Sequence, residues 1–326
     1  MQKGISAVIA TILLLLIAIA ITGFAFTFFS RTVETTSNAT QSQLQQQTQQ
    51  IGTLFSIEGV DKNQVFIRNK GATPLTGLAF YVNNVNVNYT GPGSLAPNSV
   101  GTYLLNSTQL IMQPDPAELR ITSSGFSDKI TANFYTSNMI AYWKFDEGSG
   151  NTAADSVRNN TATLSGATWV SGKYGNAVDV NNTKYVSLGT ILPASSFTLA
   201  FWSNANSYYS GLGVNGNVIM AGEQYTVNGF RSGFNEQGYY SFWTTQSGGT
   251  LSVAATSPAP VGTWHHYAIS YQSGVPAKLY KDGILESTAS GTYVLSVVPM
   301  YIASGTGGVV WFNGRVDEVK ILNIAV

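Results

Sequence analysis

The sequence predicts a mainly β chain led by one long hydrophobic α-helix, with a small antiparallel β-sandwich and then a larger two-sheet sandwich behind it. Three observations carry that prediction. No charged residue falls between Gly4 and Ser30, and Ile5 to Ile21 is almost wholly aliphatic. From Phe55 the pattern changes to short alternating runs cut by Gly, Pro, Asn and Asp, as half-buried strands and tight turns require. All six tryptophans and both histidines fall beyond Thr136, so a second core of different make-up follows the first.

A chain of 326 residues has room for two folded units and an anchor. Only 10% of residues are charged, against roughly a quarter in soluble domains, so the surface is polar but nearly uncharged. Sixteen basic residues balance sixteen acidic ones without a basic run, which argues against nucleic acid as a partner. The absence of cysteine excludes disulfides and thiolate metal sites. Compartment therefore has to be read from the N-terminus.

As helix, the uncharged N-terminal stretch of about 27 residues would reach roughly 40 Å, more than the ~30 Å hydrocarbon core of a bilayer. The apolar region of a cleaved secretory signal is shorter, about 7 to 15 residues. Lys3 and the amino terminus on one flank, against Arg31 alone on the other, give a slight charge bias that places the N-terminus inside and the bulk of the chain outside. Met1-Gln2-Lys3-Gly4, followed by Ile5-Ser6-Ala7-Val8-Ile9-Ala10, resembles the class III signal of archaeal type IV pilins and archaellins over residues 1 to about 35. That resemblance implies cleavage after Gly4 by a prepilin peptidase, loss of the leader 1–4, and Ile5 as the new terminus. Bacterial members of the family usually carry a glutamate where this chain has Ile9, so the match is with the archaeal ones. The implied partners of the helix and stem, 5–50, are the membrane before assembly, then copies of itself or other pilins, with an assembly ATPase. The implied location is an extracellular pilus at the cell surface, reached through a membrane-inserted precursor.

One helix can serve both environments. In lipid it satisfies its backbone internally, and in a filament it can pack against copies of itself. Lipid tails are about as apolar as leucine, so the transfer gains little hydrophobic free energy and an external energy source must drive it. Beyond Arg31 the stem is rich in Ser, Thr and Gln, with Leu44, Ile51 and Leu54 widely spaced. Gln favours continuation of the helix and Thr does not, so a helix and a flexible stalk both fit.

Residues 51–136 form the first sandwich, with strands expected at Val65–Ile67, Leu78–Val82, Val85–Val87, Leu119–Ile121 and Ile130–Phe134. Its opening run, Phe66-Ile67-Arg68-Asn69-Lys70-Gly71 leading to Pro74-Leu75, resembles the β-sandwich behind the helix of archaeal pilins. Residues 137–326 form the second. There Tyr142-Trp143-Lys144-Phe145-Asp146-Glu147-Gly148, Gly172-Lys173-Tyr174-Gly175-Asn176-Ala177, Phe197-Thr198-Leu199-Ala200-Phe201-Trp202, Thr263-Trp264-His265-His266-Tyr267 and Gly314-Arg315-Val316-Asp317-Glu318-Val319 follow in order. The series resembles the laminin-G-like, concanavalin A-like jelly roll from Met139 to Val326. Lys281-Asp282-Gly283 fits a type I′ hairpin, and Trp143, Trp202 and Trp264 fit core positions among alternating aliphatics.

The resemblance implies a lectin, an adhesion module, a carbohydrate-binding module or a glycanase, among which fold cannot choose. A retaining glycanase needs two carboxylates about 5 to 5.5 Å apart. Asp317 and Glu318 are adjacent and would point to opposite faces of a strand, Glu223 and Glu236 are isolated, and His265 and His266 lack a nearby acid or nucleophile, so catalysis is not expected. Related jelly rolls often hold a structural calcium, which implies Asp146 or Glu147, Asp155 and Asp317 as ligands. If Val319 and Ile321 face the core, Asp317 shares their side and needs a partner: calcium, Arg158, Arg315 or backbone amides. Tyr208-Tyr209, Tyr239-Tyr240 and Trp243, in glycine-rich loops, are the candidates for stacking on sugar rings of a glycan or cell-surface ligand. Glycosylation sequons stand at Asn38, Asn88, Asn106, Asn159 and Asn181. These features lead to a filament subunit whose jelly roll acts as an outward adhesin. A membrane-anchored glycan-binding protein that does not polymerise and an anchored glycanase are the rivals.

Overall fold

The computed structural model describes residues 7–52, 54–134, 138–181, 183–191, 196–208, 216–222, 229–245, 251–291, 298–303 and 312–326. One α-helix runs from Ala7 to Gly52, 46 residues or about 70 Å, so the stem continues the helix. The threonines do not interrupt it. Thr22, Thr27, Thr32, Thr35 and Thr40 each donate their hydroxyl to the carbonyl four residues back, which satisfies a polar group that would otherwise compete with helix. Ile9–Gln41 is long and apolar enough to cross a membrane. Its large apolar side chains, from Ile9 to Val33, are exposed on every face.

The smaller sandwich pairs two antiparallel sheets. One orders Phe55–Asp61, Gln64–Asn69, Val100–Leu105 and Tyr89–Thr90; the other orders Phe126–Ala132, Ala117–Ser123, Ala79–Val82 and Val85–Val87. Strict alternation along Gln64–Asn69 and Ala117–Ser123 turns Val65, Ile67, Leu119 and Ile121 into a core with Phe80, Val82 and Tyr103. Buried Asn69 ends its strand by holding the next loop. Its amide donates to the Thr73 and Leu95 carbonyls, and its oxygen accepts the Gly71 N–H.

The larger sandwich packs two sheets face to face, each with eight of the described strands. The first orders Thr168–Ser171, Asn176–Val180, Asn313–Leu322, Ser196–Ser207, Trp264–Gln272, Val275–Lys281 and Ile284–Ala289, with Met139–Trp143 also paired to Asn313–Leu322. The second orders Thr152–Ala153, Ala162–Ser165, Tyr185–Gly189, Met300–Ile302, Gly216–Ala221, Gly229–Phe234, Tyr240–Thr245 and Ser252–Ala254. Phe201, Phe234, Tyr240, Phe242 and Tyr267 fill the space between them. Lys281 pairs with Ile284 around Asp282 and Gly283 at φ 51° and 77°, the left-handed pair that a type I′ turn needs.

The central strands of the first sheet do not present their outer face to solvent. Ala200, Ala268, Tyr280, Leu322 and Tyr142 share one buried cluster with Leu110, Ile111 and Ala117 of the smaller sandwich. Trp143 is in the larger core as expected. Trp202 is buried in this seam instead, donating its indole N–H to the Met112 carbonyl at 3.0 Å. Trp264, paired with Asn204 at the end of its strand, is only half-buried.

Candidate functional site

With one sheet capped by the smaller sandwich, the second sheet offers the other broad face of the jelly roll. Along its strands Val186, Ile302, Ala221, Phe230, Phe234, Phe242 and Val253 point into the core, so the residues between them point outward. Register aligns these into one row across the sheet. Ser187 pairs with Tyr301, Tyr301 with Met220, Met220 with Arg231, Arg231 with Trp243, and Trp243 with Ser252. The Tyr185 ring stands 6.2 Å from that of Tyr301; Tyr185, Tyr301, Arg231 and Trp243 are half-buried, and Met220 between them is buried. The half-buried aromatic rings provide flat apolar surface, suited to a ligand that presents an apolar ring face, while the Nε and Nη2 atoms of Arg231 are shielded from solvent.

Of the aromatics expected to bind, only Trp243 lies on this row. Tyr240 is fully buried, its ring 4.2 Å from that of Tyr267, because Tyr240, Phe242 and Thr244 occupy the inward phase of their strand. Tyr208 packs 5.4 Å from Phe234 and donates its hydroxyl to the Ala259 carbonyl, so it closes an end of the core. Tyr239 is half-buried in the turn, whose backbone N–H the Asn235 side chain holds. Tyr209, Glu223 and the processing residues Gly4 and Ile5 lie outside the described residues. Tyr185, Met220, Arg231 and Tyr301 escaped sequence reading, although the alternation in Phe230-Arg231-Ser232 and Met300-Tyr301-Ile302 was there to find.

The four expected calcium ligands do not converge. Asp155 accepts the Tyr142 and Val157 N–H groups and the Asn160 amide, and Glu147 accepts the Ala154 N–H at 2.8 Å. Asp146 and Asp317 do reach one turn, where Asp146 accepts the Asn176 N–H and Asp317 those of Lys173 and Tyr174 at 2.9 and 3.0 Å. Among the described residues no three of the His, Asp and Glu side chains are grouped so that they could hold a metal ion, so at most Asp146 and Asp317 of the expected set share one place. Backbone amides are the partners of one Asp317 oxygen, Oδ2, whereas the buried Oδ1 has no hydrogen-bond partner among the described residues. Gly172 leaves the room for them, since a Cβ there would stand 2.7 Å from the Asp317 carboxylate.

Two other expectations need correction. Val319 and Ile321 face the core, but a bulge at Glu318, with φ 54° and a register shift opposite Ala200 and Trp202, breaks the alternation. Asp317 therefore pairs with Trp202 on the seam side, and Glu318 accepts the Tyr142 hydroxyl there as well. Both carboxylates lie on one face, yet both are buried and out of reach of a polysaccharide. Burial pushes the Asp317 carboxyl up to about 8, outweighing the two amides, and also raises that of Glu318. His265 does have an acid beside it. Its Nδ1 lies 2.7 Å from Asp282 and its Nε2 2.9 Å from the Thr263 hydroxyl, the order of an acid, a base and a nucleophile. Thr263 also lies 2.6 Å from the Pro260 carbonyl, which accepts its proton, so the array braces the loop that enters the strand. His266 is buried against Trp202, with ring centroids 5.3 Å apart, and burial pulls its imidazole down to about 3.

Asn38, Asn88, Asn106 and Asn159 are exposed and Asn181 is half-buried. Asn106 caps the short helix Ser107–Ile111 by accepting the Gln109 N–H, so its sequon has a structural use.

Residues 176–326 match the family described as the concanavalin A-like lectin/glucanases superfamily. No curated protein matches the chain. Among solved structures, the binding domain of Paraclostridial Mosquitocidal Protein 1 is similar at 14% identity and a TM-score of 0.50, over 59% of this chain and 50% of that one. Domain 4 of an extracellular arabinanase from Geobacillus stearothermophilus, in complex with arabinotriose, is similar at 17% identity and a TM-score of 0.48, over 58% of this chain and 94% of that one. The chain thus spans half the length of the toxin domain and nearly all of the arabinanase one. Two antiparallel sheets packed face to face, with the family match on the second half of the chain, make its C-terminal part a concanavalin A-like jelly roll.

Proposed function

We propose that this chain is an archaeal type IV pilin-like subunit of a cell-surface filament whose jelly roll is an outward glycan-binding adhesin. The observation that carries the reading is the division of faces. The smaller sandwich, which follows the helix in the chain, covers one sheet of the jelly roll and leaves the Tyr301-Met220-Arg231-Trp243 row on the other. Anchor and ligand surface then lie on opposite sides of the larger domain. The exposed, all-round apolar helix supports a partner of lipid or of like helices, and the class III signal supports the second. Its expected partners are the prepilin peptidase, which cleaves at Gly4, and the assembly ATPase.

Imaging of purified surface filaments, with N-terminal sequencing of the subunit, tests the filament half: filaments containing a chain that begins at Ile5 are expected, and monomers confined to membranes would refute it. That second outcome would leave a membrane-anchored glycan-binding protein, since the same helix satisfies a bilayer. A glycan array probed with the native chain tests the adhesin half.

A further inference from the structure

The helix Ala7–Gly52 carries two neighbouring rows at four-residue spacing. Gly23, Thr27 and Arg31 form one, and Phe26, Ser30 and Glu34 form the other. At 3.6 residues per turn the rows lie about 60° apart around the axis. They are complementary in shape and charge. Gly23 has no atom within 4 Å of where a Cβ would stand, which makes a notch, whereas Phe26 is 72% exposed and makes a knob. Thr27 and Ser30 are both small hydroxyls. Arg31 and Glu34 are the charged residues of the described helix, and neither is in an ion pair among the described residues.

We propose that copies of this helix pack side by side and parallel with a shift of three residues, about 4.5 Å along the axis, so that the Gly23-Thr27-Arg31 row of one copy meets the Phe26-Ser30-Glu34 row of the next. The inference rests on the filament reading and adds the register of the contact to it. Hydrophobic burial cannot set that register, because an apolar helix gains little by sliding along another. Charge can. With no shift, Arg31 faces Arg31 and Glu34 faces Glu34, like charges in a poorly screened setting. A shift of four residues leaves Arg31 level with Thr35. The three-residue shift brings opposite charges level and, in the same movement, sets Phe26 against the Gly23 notch and Ser30 against Thr27. Because the two rows differ, the contact is heterologous and each copy keeps an open row for the next, the arrangement that builds an open helical assembly.

The chain has no cysteine, so single introduced thiols report contacts cleanly. Full-length Thr27→Cys and Ser30→Cys chains are co-produced in one host and oxidised in intact membranes and filaments. Cross-linked dimers are expected in the mixture and should be scarce with either variant alone. In parallel, Arg31→Glu and Glu34→Arg chains should each lose assembly when produced alone and regain it when produced together. Cross-links as abundant in either single variant as in the mixture would overturn the shift, as would failure of the two charge variants to restore each other, the result that pairing within one helix predicts. Filaments with Thr27→Cys self-cross-links would discard the shift and keep the filament. Mixed cross-links in membranes without filaments would keep the shift and discard the filament.

Discussion

Tyr142 donates its phenolic proton to the Glu318 carboxylate and accepts the backbone N–H of Asp115, so one hydroxyl ties a jelly roll strand to the smaller sandwich. Lys320 completes the tie by donating to the Ile111 and Gln113 carbonyls. Tyr142→Phe leaves a buried carboxylate oxygen and a buried N–H without partners and should cost about 1–3 kcal/mol. Lys320→Met removes the cation that offsets Glu318 and Asp115 and should cost more, about 3–5 kcal/mol. Denaturant unfolding of the detergent-solubilised chain measures both. Equal stability of the Phe variant and the native chain would show that the seam does not hold the sandwiches together.

Asp317 sets a pH dependence with a defined sign. Its carboxyl stands at about 8 in the fold against an ordinary 3.8, so between those values the native state binds a proton that the unfolded state lacks. Its contribution is full below about pH 4 and is lost as pH rises through about 8. His266, held at about 3 against 6.5, has the opposite slope, with stability rising from about pH 3 to 6.5. The two cancel between about pH 4 and 6.5, which leaves a decline from 6.5 to 8. Asp317→Asn keeps an acceptor for Lys173 and Tyr174 and should abolish that decline in melting temperature. A calcium-dependent rise in melting temperature at pH 8 that Asp146→Asn removes would instead restore the metal at this turn.

Asp282 has the opposite linkage. Hydrogen bonds from His265 and from the His266 N–H outweigh its burial and hold its carboxyl below the usual value, so its contribution is present above about pH 4 and is lost as pH falls. Asp282→Asn should lower the melting temperature near pH 7, and the difference should shrink as pH falls below about 4. A difference that does not shrink as pH is lowered further below about 4 would assign the effect to the turn conformation at φ 51° instead.

Local chemistry was the part of this molecule most legible in the sequence. The uncharged run before Arg31, the Asp282-Gly283 turn and the alternation through Val65–Ile67 all act over a few residues, and each appears where expected. What stayed hidden depended on long-range pairing. Asp317 and Glu318 seemed fated to opposite faces until the bulge opposite Ala200 and Trp202 put them on one. His265 gained its acid from Asp282 across a strand pair. Thr32, Thr35 and Thr40 oppose helix by propensity, yet the helix runs through them with their hydroxyls bonded back to its own carbonyls.

The ligand face separates residues by strand phase. Trp243 and Tyr240 sit three apart in the chain, yet Trp243 belongs to the outer row with Arg231 and Tyr240 stacks on Tyr267 inside. Trp243→Ala and Tyr301→Ala should therefore leave the melting temperature nearly unchanged and weaken glycan binding by roughly 2 kcal/mol, about 30-fold in Kd, if they anchor the ligand. Tyr240→Ala should do the reverse to stability, losing about 3–5 kcal/mol through the cavity it opens, and its binding defect should vanish at temperatures where the variant remains folded. Glycan-array titration beside thermal melts of the same samples separates the two effects. Native affinity in both outer-row variants would remove this face from the adhesin reading. Loss in the outer-row variants alone would localise the ligand to the sheet that the smaller sandwich leaves uncovered.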